Sequence, residues 1–408
     1  MKSLIAVACA LLATTAWAAP KPDAALLKAA TAEAPAVTGT LKSLVEIETG
    51  SGDAEGLETL GRYLESRFAQ GGGSVSRVKP VAGTVGDIIV ARWKGSGRGK
   101  LLLIAHMDTV YQKGALAKAP FKLVDSPNGQ IAYGPGIADD KGGVALILHT
   151  LPLLSQRDYA ELTVLINTDE ERGSVGSGPI ITDMAKGMTA VLSFEPTALP
   201  EVMINGTSGT NTVTVTITGK SAHAGGAQES GINALVEAAH VIEVTKDLDR
   251  GPGKRRFNWT VVSQDRGVRN IIPNNVTLIG DLRTSTMAEV DQFRAELTER
   301  LTAPGVAGAK VVAEVKVNRP PFDVTPASAA LITEAQAIYA TLGRQLPLMP
   351  RTGGGTDAGY AAIAGVPVLE FLGLPGAGYH TTDAEYVILE SVPSRLYLAA
   401  RLIRKLGR

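Results

Sequence analysis

Four short apolar runs in this sequence each hand the chain over to a side chain that could ligate a metal ion or move a proton. Leu101 to Ala105 delivers His106, with Asp108 two residues on. Leu162 to Thr168 delivers Asp169, Glu170 and Glu171, and Ala190 to Phe194 delivers Glu195. Val366 to Phe371 runs on through a Gly/Pro loop to Tyr379 and His380. A fifth stretch, Tyr133 to Gly143, sets Asp139 and Asp140 between a Gly-Pro-Gly turn and a Gly pair that opens an apolar run. Acids just ahead of a helix lie in its favourable field. His106, Asp139, Glu171, Glu195 and His380 are nitrogen and oxygen donors without sulfur, a set suited to zinc, cobalt or manganese. Three protein ligands per ion with a position left open is a catalytic arrangement. Five ligands serve two ions if one carboxylate bridges.

The elements that must position these groups follow from the apolar pattern. Short β-branched runs between Gly, Pro and Asp are expected as strands buried on both faces of a parallel sheet. In such sheets ligands bind beyond the carboxyl ends of the strands, where these residues fall. Helices are expected over Asp23–Glu48, Glu55–Gln70 and Val144–Leu154, and strands over Asp87–Trp93 and Leu101–Ala105. The alternation implies an α/β domain with a mostly parallel sheet.

The pattern changes after residue 206. Thr212 to Thr218 alternates with period two, as in a strand solvated on one face. A helix over Ile232–Leu248, strands over Phe257–Ser263 and Val276–Arg283, a helix capped by Thr286 with Glu289 three residues on, and a strand over Lys310–Val317 complete a β-α-β-β-α-β order. That order is ferredoxin-like. Ligand candidates lie on both sides of it, so it must be an insertion. The expected organisation is a catalytic domain over 19–206 and 319–408 with an inserted domain over 207–318. Elements of the return are a helix near Ser328–Leu342, the loop Arg351–Asp357, a strand over Val366–Phe371 and a helix over Ser394–Leu406.

Taken together, His106-Met-Asp108-Thr, Gly136-Ile-Ala-Asp139-Asp140-Lys-Gly-Gly, Asp169-Glu170-Glu171, Ser193-Phe-Glu195-Pro and Gly378-Tyr-His380 resemble the signature set of the co-catalytic zinc exopeptidases. That family includes glutamate carboxypeptidases, aminoacylases and succinyl-diaminopimelate desuccinylases, and the likeness runs over essentially the whole mature chain. It is strongest to exported bacterial glutamate carboxypeptidases that act on folates. The resemblance implies two Zn²⁺ per subunit, with Co²⁺ or Mn²⁺ as substitutes. It implies that Asp139 bridges the ions, that His106 and Glu195 complete one site, and that Glu171 and His380 complete the other. Glu170 becomes the general base and Asp108 the partner of the second ring nitrogen of His106, while Asp140 is a supporting acid. Glu170 and Glu171 on an extended backbone would point opposite ways, leaving one free while the other binds metal. The resemblance also implies a cis peptide between Asp139 and Asp140.

The insertion carries further candidates. Gly219 to Gly225 resembles the family loop whose histidine, here His223, reaches the partner subunit's active site to stabilise the oxyanion. Arg283 resembles the arginine that holds a substrate carboxylate, with Asn270 nearby, and Gly354, Gly355 and Thr356 offer backbone N–H groups to the same anion. Without the lysine of a P-loop, that glycine run is not a nucleotide site. His149 and His240 fall in helical patterns and are read as structural. Relatives that prefer glutamate carry a lysine shortly after the Ser-Phe-Glu-Pro motif; Pro200-Glu201-Val202-Met203 offers no cation there. That keeps open a broad N-acyl-amino-acid amidohydrolase preferring neutral or apolar residues. A non-catalytic binding module ranks far behind, since it predicts loss of Glu170 or a ligand.

Composition narrows the rest. The 408 residues carry 40 Lys+Arg against 40 Asp+Glu. That balance, with no basic patch interleaved with aromatics, excludes a nucleic-acid partner. Lys2, the apolar stretch Leu4–Leu12 and Ala16-Trp17-Ala18 make residues 1–18 a cleavable signal peptide. The expected product is secreted or periplasmic, not held at a membrane after processing, and homodimeric through the insertion. The single cysteine, Cys9, lies in that segment. The mature chain therefore has no disulfide, thiolate ligand or cysteine nucleophile; a lipoprotein signal ending at Cys9 is the weaker alternative. The expected substrate is a small molecule or peptide with a free α-carboxylate.

Overall fold

The computed structural model describes residues 21–408 apart from positions 82, 128, 266 and 382. The signal-peptide reading and Cys9 lie outside the described residues. Among those described, no helix is long and apolar enough to cross a membrane.

Six strands form the central sheet in the order Ser74–Val78, Ile88–Lys94, Glu161–Asn167, Lys100–His106, Ala190–Ser193, Val368–Leu369. The last four run parallel to one another, and the first two add an antiparallel edge. The strand Lys100–His106 is buried at every position but its first. Leu101 and Leu103 face one core, with the helices Ala24–Val45, Lys141–Thr150 and Val392–Gly407; Leu102 and Ile104 face another, with Gly178–Ala185 and Ala358–Ile363. Burial on both faces is what an unbroken apolar run demands. Three of the parallel strands therefore release the chain at one edge, at His106, Asn167 and Ser193.

The helix expected from Val144 starts at Lys141, because the Asp140 carboxylate caps it by accepting the Gly143 N–H at 3.1 Å. A side chain at Gly143 would put its Cβ 2.3 Å from the Phe194 carbonyl, so only glycine lets this helix start lie against the end of the Ala190–Ser193 strand. The strand expected over Val366–Phe371 is shorter: only Val368–Leu369 pairs, and Phe371 turns away with φ of 70°. A small antiparallel sheet has no counterpart among the expected elements. In it Tyr386–Ile388 pairs with Gly129–Tyr133, bringing the segment after His380 against the stretch before Asp139.

The strands Gly209–Thr218, Arg256–Gln264, Asn275–Thr284 and Lys310–Arg319 form a separate four-stranded antiparallel sheet, with the helices Ala234–Thr245 and Met287–Arg300 between them in sequence. Counted within the unit, the strands lie in the order 4-1-3-2, which is the ferredoxin-like arrangement the sequence implies. Thr286 caps its second helix by accepting the Glu289 N–H.

Candidate metal centre and cleft

His106, the last residue of its strand, is 1 % exposed; its Nε2 lies 3.0 Å from Asp139 Oδ1 and 3.7 Å from Glu195 Oε1. Nε2 of His380 lies 3.4 Å from Asp139 Oδ2 and 3.5 Å from Glu171 Oε2. Two clusters result, His106–Asp139–Glu195 and Asp139–Glu171–His380, and each uses a different oxygen of Asp139. Two ligand atoms on one tetrahedral ion, each bonded at roughly 2.0–2.2 Å, stand about 3.3 Å apart. The observed separations scatter around that edge length, so the residues fit a pair of ions sharing one carboxylate.

Electrostatics supports the same fit. Burial pushes the Glu195 carboxyl well above the usual range, and burial with repulsion from Asp139 pushes Glu171 up to about 8. The Asp139 carboxylate, with desolvation outweighed by His106 and His380, holds the His380 imidazole up to about 9. Acids that resist ionising beside histidines that resist deprotonating form a cluster short of positive charge. Bound divalent cations reverse that preference.

The fixed parts of the site hang on buried acids. Asp108 Oδ1 accepts the Glu170 N–H at 3.0 Å, and its Oδ2 accepts the Glu171 N–H at 3.2 Å and the Ser51 hydroxyl at 2.6 Å. His106 Nδ1 lies 3.0 Å from the Asp108 carbonyl oxygen and 3.4 Å from its carboxylate. One carboxylate can take two consecutive N–H groups only from a curled backbone. Glu170–Arg172 accordingly forms a 3₁₀ turn closed by Gly173 at φ of 88°, not the extended segment expected. The two glutamates still diverge: Glu171 joins the second cluster, while Glu170 Oε1 meets Arg319 Nη1 at 2.6 Å. Asp139 and Asp140 are joined by a cis peptide, as the resemblance implies.

Sequence reasoning missed Arg319 and Glu385. Arg319 is buried, pairs with Glu170, and donates to the carbonyl oxygens of Glu170 and Gly355. Glu385 is buried and accepts the N–H groups of Gly136, Ala138 and Asp139 at 3.1, 2.9 and 3.0 Å, together with the Tyr111 hydroxyl. It therefore fixes the loop that presents Asp139. Neither residue carries a sequence signal: one ends a polar strand, and the other sits among ordinary loop acids.

Asp139, Glu170, Glu171, Glu195 and His380 open onto a cleft of about 950 Å³, whose opposite wall is the inserted sheet and the glycine loop. Arg283, Gly354, Gly355 and Thr356 line it; His106 lies behind the wall. The N–H groups of Gly355 and Thr356 have no hydrogen-bond partner among the described residues. A Cβ at Gly355 would meet the Ser208 carbonyl at 2.8 Å and Arg319 Cδ at 3.0 Å. Arg283 is not a free fork: Asp281, on the same strand face two residues away, takes its Nε and Nη2 at 2.8 and 3.0 Å. Asn270 is not beside Arg283 either. It precedes the strand Asn275–Thr284, at whose far end Arg283 lies, roughly 25 Å away along the strand. There Ala224 donates to the Asn270 carbonyl at 3.0 Å and His223 bridges Ile271, so His223 and Asn270 form one cluster away from their own chain's cleft. Val202 is buried and does not reach the cleft wall.

Comparison with known proteins places this geometry. The model of peptidase family M20/M25/M40 matches residues 102–405. Carboxypeptidase G2 of Pseudomonas sp. (strain RS-16) is 49% identical over 405 residues, covering 98% of this chain and 96% of that one. A succinyl-diaminopimelate desuccinylase of Methylorubrum extorquens (strain PA1) is 28% identical over 354 residues, covering 80% of this chain and 89% of the other. Among solved structures, the aminopeptidase PepT of Bacillus cereus superposes with a TM-score of 0.73 at 20% identity, covering 92% of this chain and 99% of that one. A dinuclear metal-binding peptidase of Bacillus subtilis gives 0.67 at 16% identity over the same shares.

Proposed function

The chain belongs to the peptidase family M20/M25/M40, and from that premise we propose that it is an exported di-zinc carboxypeptidase. It releases a C-terminal amino acid from an amide, with glutamate of folate-like or other N-acyl substrates as the leading case. The single observation that carries this reading is the sharing of Asp139, one oxygen to each three-residue cluster. His106, Asp139 and Glu195 would hold one zinc ion, and Asp139, Glu171 and His380 would hold the other. Bound ions of this kind lower the pKa of an attacking water and polarise the scissile carbonyl.

Glu170 takes the proton of the attacking water and passes it to the leaving nitrogen. Burial pushes its carboxyl up to about 7, against the pull of Arg319, which also fixes its direction. Asp108 holds His106 through the ring nitrogen that faces away from the cleft and orders the Glu170–Glu171 turn. The α-carboxylate lies against Arg283 and the N–H groups of the loop Gly354-Gly355-Thr356. Residues 207–318 act as the dimerisation domain, and His223 and Asn270 serve the cleft of the partner subunit, since their cluster lies far from their own. Residues 1–18 direct export to the periplasm or beyond and are then removed.

The decisive test is hydrolysis by the mature zinc-loaded chain of folate and N-acyl-glutamate against N-acyl-leucine, -phenylalanine and -alanine. Preference for glutamate supports the carboxypeptidase reading. Preference for the apolar set keeps the mechanism and moves the enzyme to an aminoacylase-like activity, which the missing cation near Val202 favours. Failure on both sets sinks the substrate class.

A further inference from the structure

Four basic side chains line the cleft: Arg172, Arg283, Lys316 and Arg319. Three are engaged. Arg319 is buried against Glu170, Arg283 is forked onto Asp281, and Arg172 donates to the Ser51 carbonyl at 2.6 Å. Lys316 is exposed and makes no hydrogen bond or ion pair among the described residues. Arg172 is held only by a neutral carbonyl, so it and Lys316 are the cleft cations that no carboxylate pairs with among the described residues, and of the four only Lys316 makes no hydrogen bond either.

Its place is fixed by the sheet register. Lys316 stands opposite Thr212, and Thr212 opposite Asp281, so the three form one row across three strands. Thr210 and Thr212 are partly exposed while Val213 packs beneath the helices, so this row is on the solvent face. Two strand spacings, about 10 Å, separate the backbones of Lys316 and Asp281, and both oxygens of that acid are taken by Arg283. A bulge between Val317 and Arg319 sets Arg319, like Arg283, opposite Thr210, so the row of Lys316 lies two residues of strand, roughly 7 Å, further out from Glu170. The α-carboxylate is one carbon from the scissile nitrogen and stays near the metal cluster, closer to the row of Arg283 and Arg319 than to that of Lys316. Lys316 can meet an anion several bonds further out.

We propose that Lys316 determines specificity for the departing residue: its ammonium receives the side-chain carboxylate of an acidic C-terminal amino acid, glutamate above all. The assignment rests on the carboxypeptidase reading above. It also answers the absence of a cation around Val202, since the charge comes from the inserted sheet instead of the catalytic domain.

The test uses the full mature enzyme with zinc and three substrates sharing one acyl group: benzoyl-glutamate, benzoyl-glutamine and benzoyl-leucine. Removing one charge-assisted hydrogen bond by Lys316→Ala should lower kcat/KM for benzoyl-glutamate by about 10–100-fold, mostly through KM, and leave the other two within about twofold. Lys316→Arg should restore most of that activity, and Lys316→Glu should depress it further. An equal fall on all three substrates, or no change on any, overturns the assignment. If the unmodified enzyme hydrolyses none of the three, the carboxypeptidase reading itself fails; if it hydrolyses them without regard to Lys316, only this assignment does.

Discussion

The floor of the cleft and its roof hold charge in different ways. On the floor, His106, the Glu170–Glu171 turn and Glu195 follow the ends of buried parallel strands, and buried acids brace several of the groups from behind: Asp108 behind His106 and the Glu170–Glu171 turn, Glu385 behind Asp139. On the roof, cations stand on a sheet solvated on one face, and their order comes from neighbours two residues away, as with Arg283 and Asp281. A braced floor suits chemistry, where small displacements cost rate. A solvated roof suits recognition, where a side chain can be exchanged without disturbing the reacting groups. Substitutions should therefore strike kcat and metal content on the floor and KM on the roof.

The contrast breaks most sharply at Asp139. Asp139→Ala removes an oxygen from both clusters, and the expected result is loss of activity together with loss of bound zinc, read by metal analysis of the purified protein. Retention of two ions would show that the carboxylate does not bridge. Glu170→Gln separates chemistry from binding: turnover should fall by about 10²–10⁴-fold with zinc content unchanged. Unimpaired turnover in that variant removes Glu170 as the base. On the roof, Arg283→Ala should raise KM about tenfold, as expected for one shielded ion pair to substrate, and change kcat little. A collapse of kcat instead would place Arg283 among the reacting groups.

The smallest expected effect lies outside the cleft and controls for simple destabilisation. Asp158 is buried and, although desolvation opposes it, the Ser155 N–H at 2.7 Å and the Arg408 guanidinium at 2.8 Å hold its carboxyl below the usual range. A lowered folded-state pKa gives stability that is present above the ordinary carboxylate range and is lost as the pH falls through the folded value. Asp158→Asn should therefore cost about 1 kcal/mol near neutral pH, and the deficit should shrink on acidification while zinc content and KM stay unchanged. A deficit that does not depend on pH would show that the carboxylate charge is not what matters.

Much of the floor is legible in the sequence because His106, Glu171 and Glu195 follow apolar runs, and a run buried on both faces fixes where its last residue emerges; Asp139 is legible instead from the glycine-flanked acid pair ahead of a helix. The ferredoxin-like order is legible from its periodicity. What escapes is set by partners distant in sequence. Nothing local marks Glu385 as the acid that holds the Gly136–Asp139 backbone, because the link is made by the pairing of Tyr386–Ile388 with Gly129–Tyr133. Nothing local makes Arg319 the partner of Glu170, since the two meet only when the inserted sheet closes over the strand ends. The turn at Glu170 is misjudged from sequence because the group that curls it, Asp108, belongs to a different strand end. Asn270 falls near Arg283 in sequence, but a ten-residue strand turns that closeness into distance.

The two clusters share Asp139 but not their surroundings. The His106 ring is 1 % exposed, whereas His380 is 57 % exposed and sits at φ of 61°, in the left-handed region that few non-glycine residues occupy. An ion on the His380 side would have a solvent-exposed ligand, whereas one on the His106 side would be held by a ligand buried behind the cleft wall. A slow chelator should empty the two positions in sequence, outer before inner, passing through a half-loaded enzyme. Refilling that species with a spectroscopically active ion such as cobalt would mark the outer position alone, so the cleft carries its own means of being labelled one metal at a time.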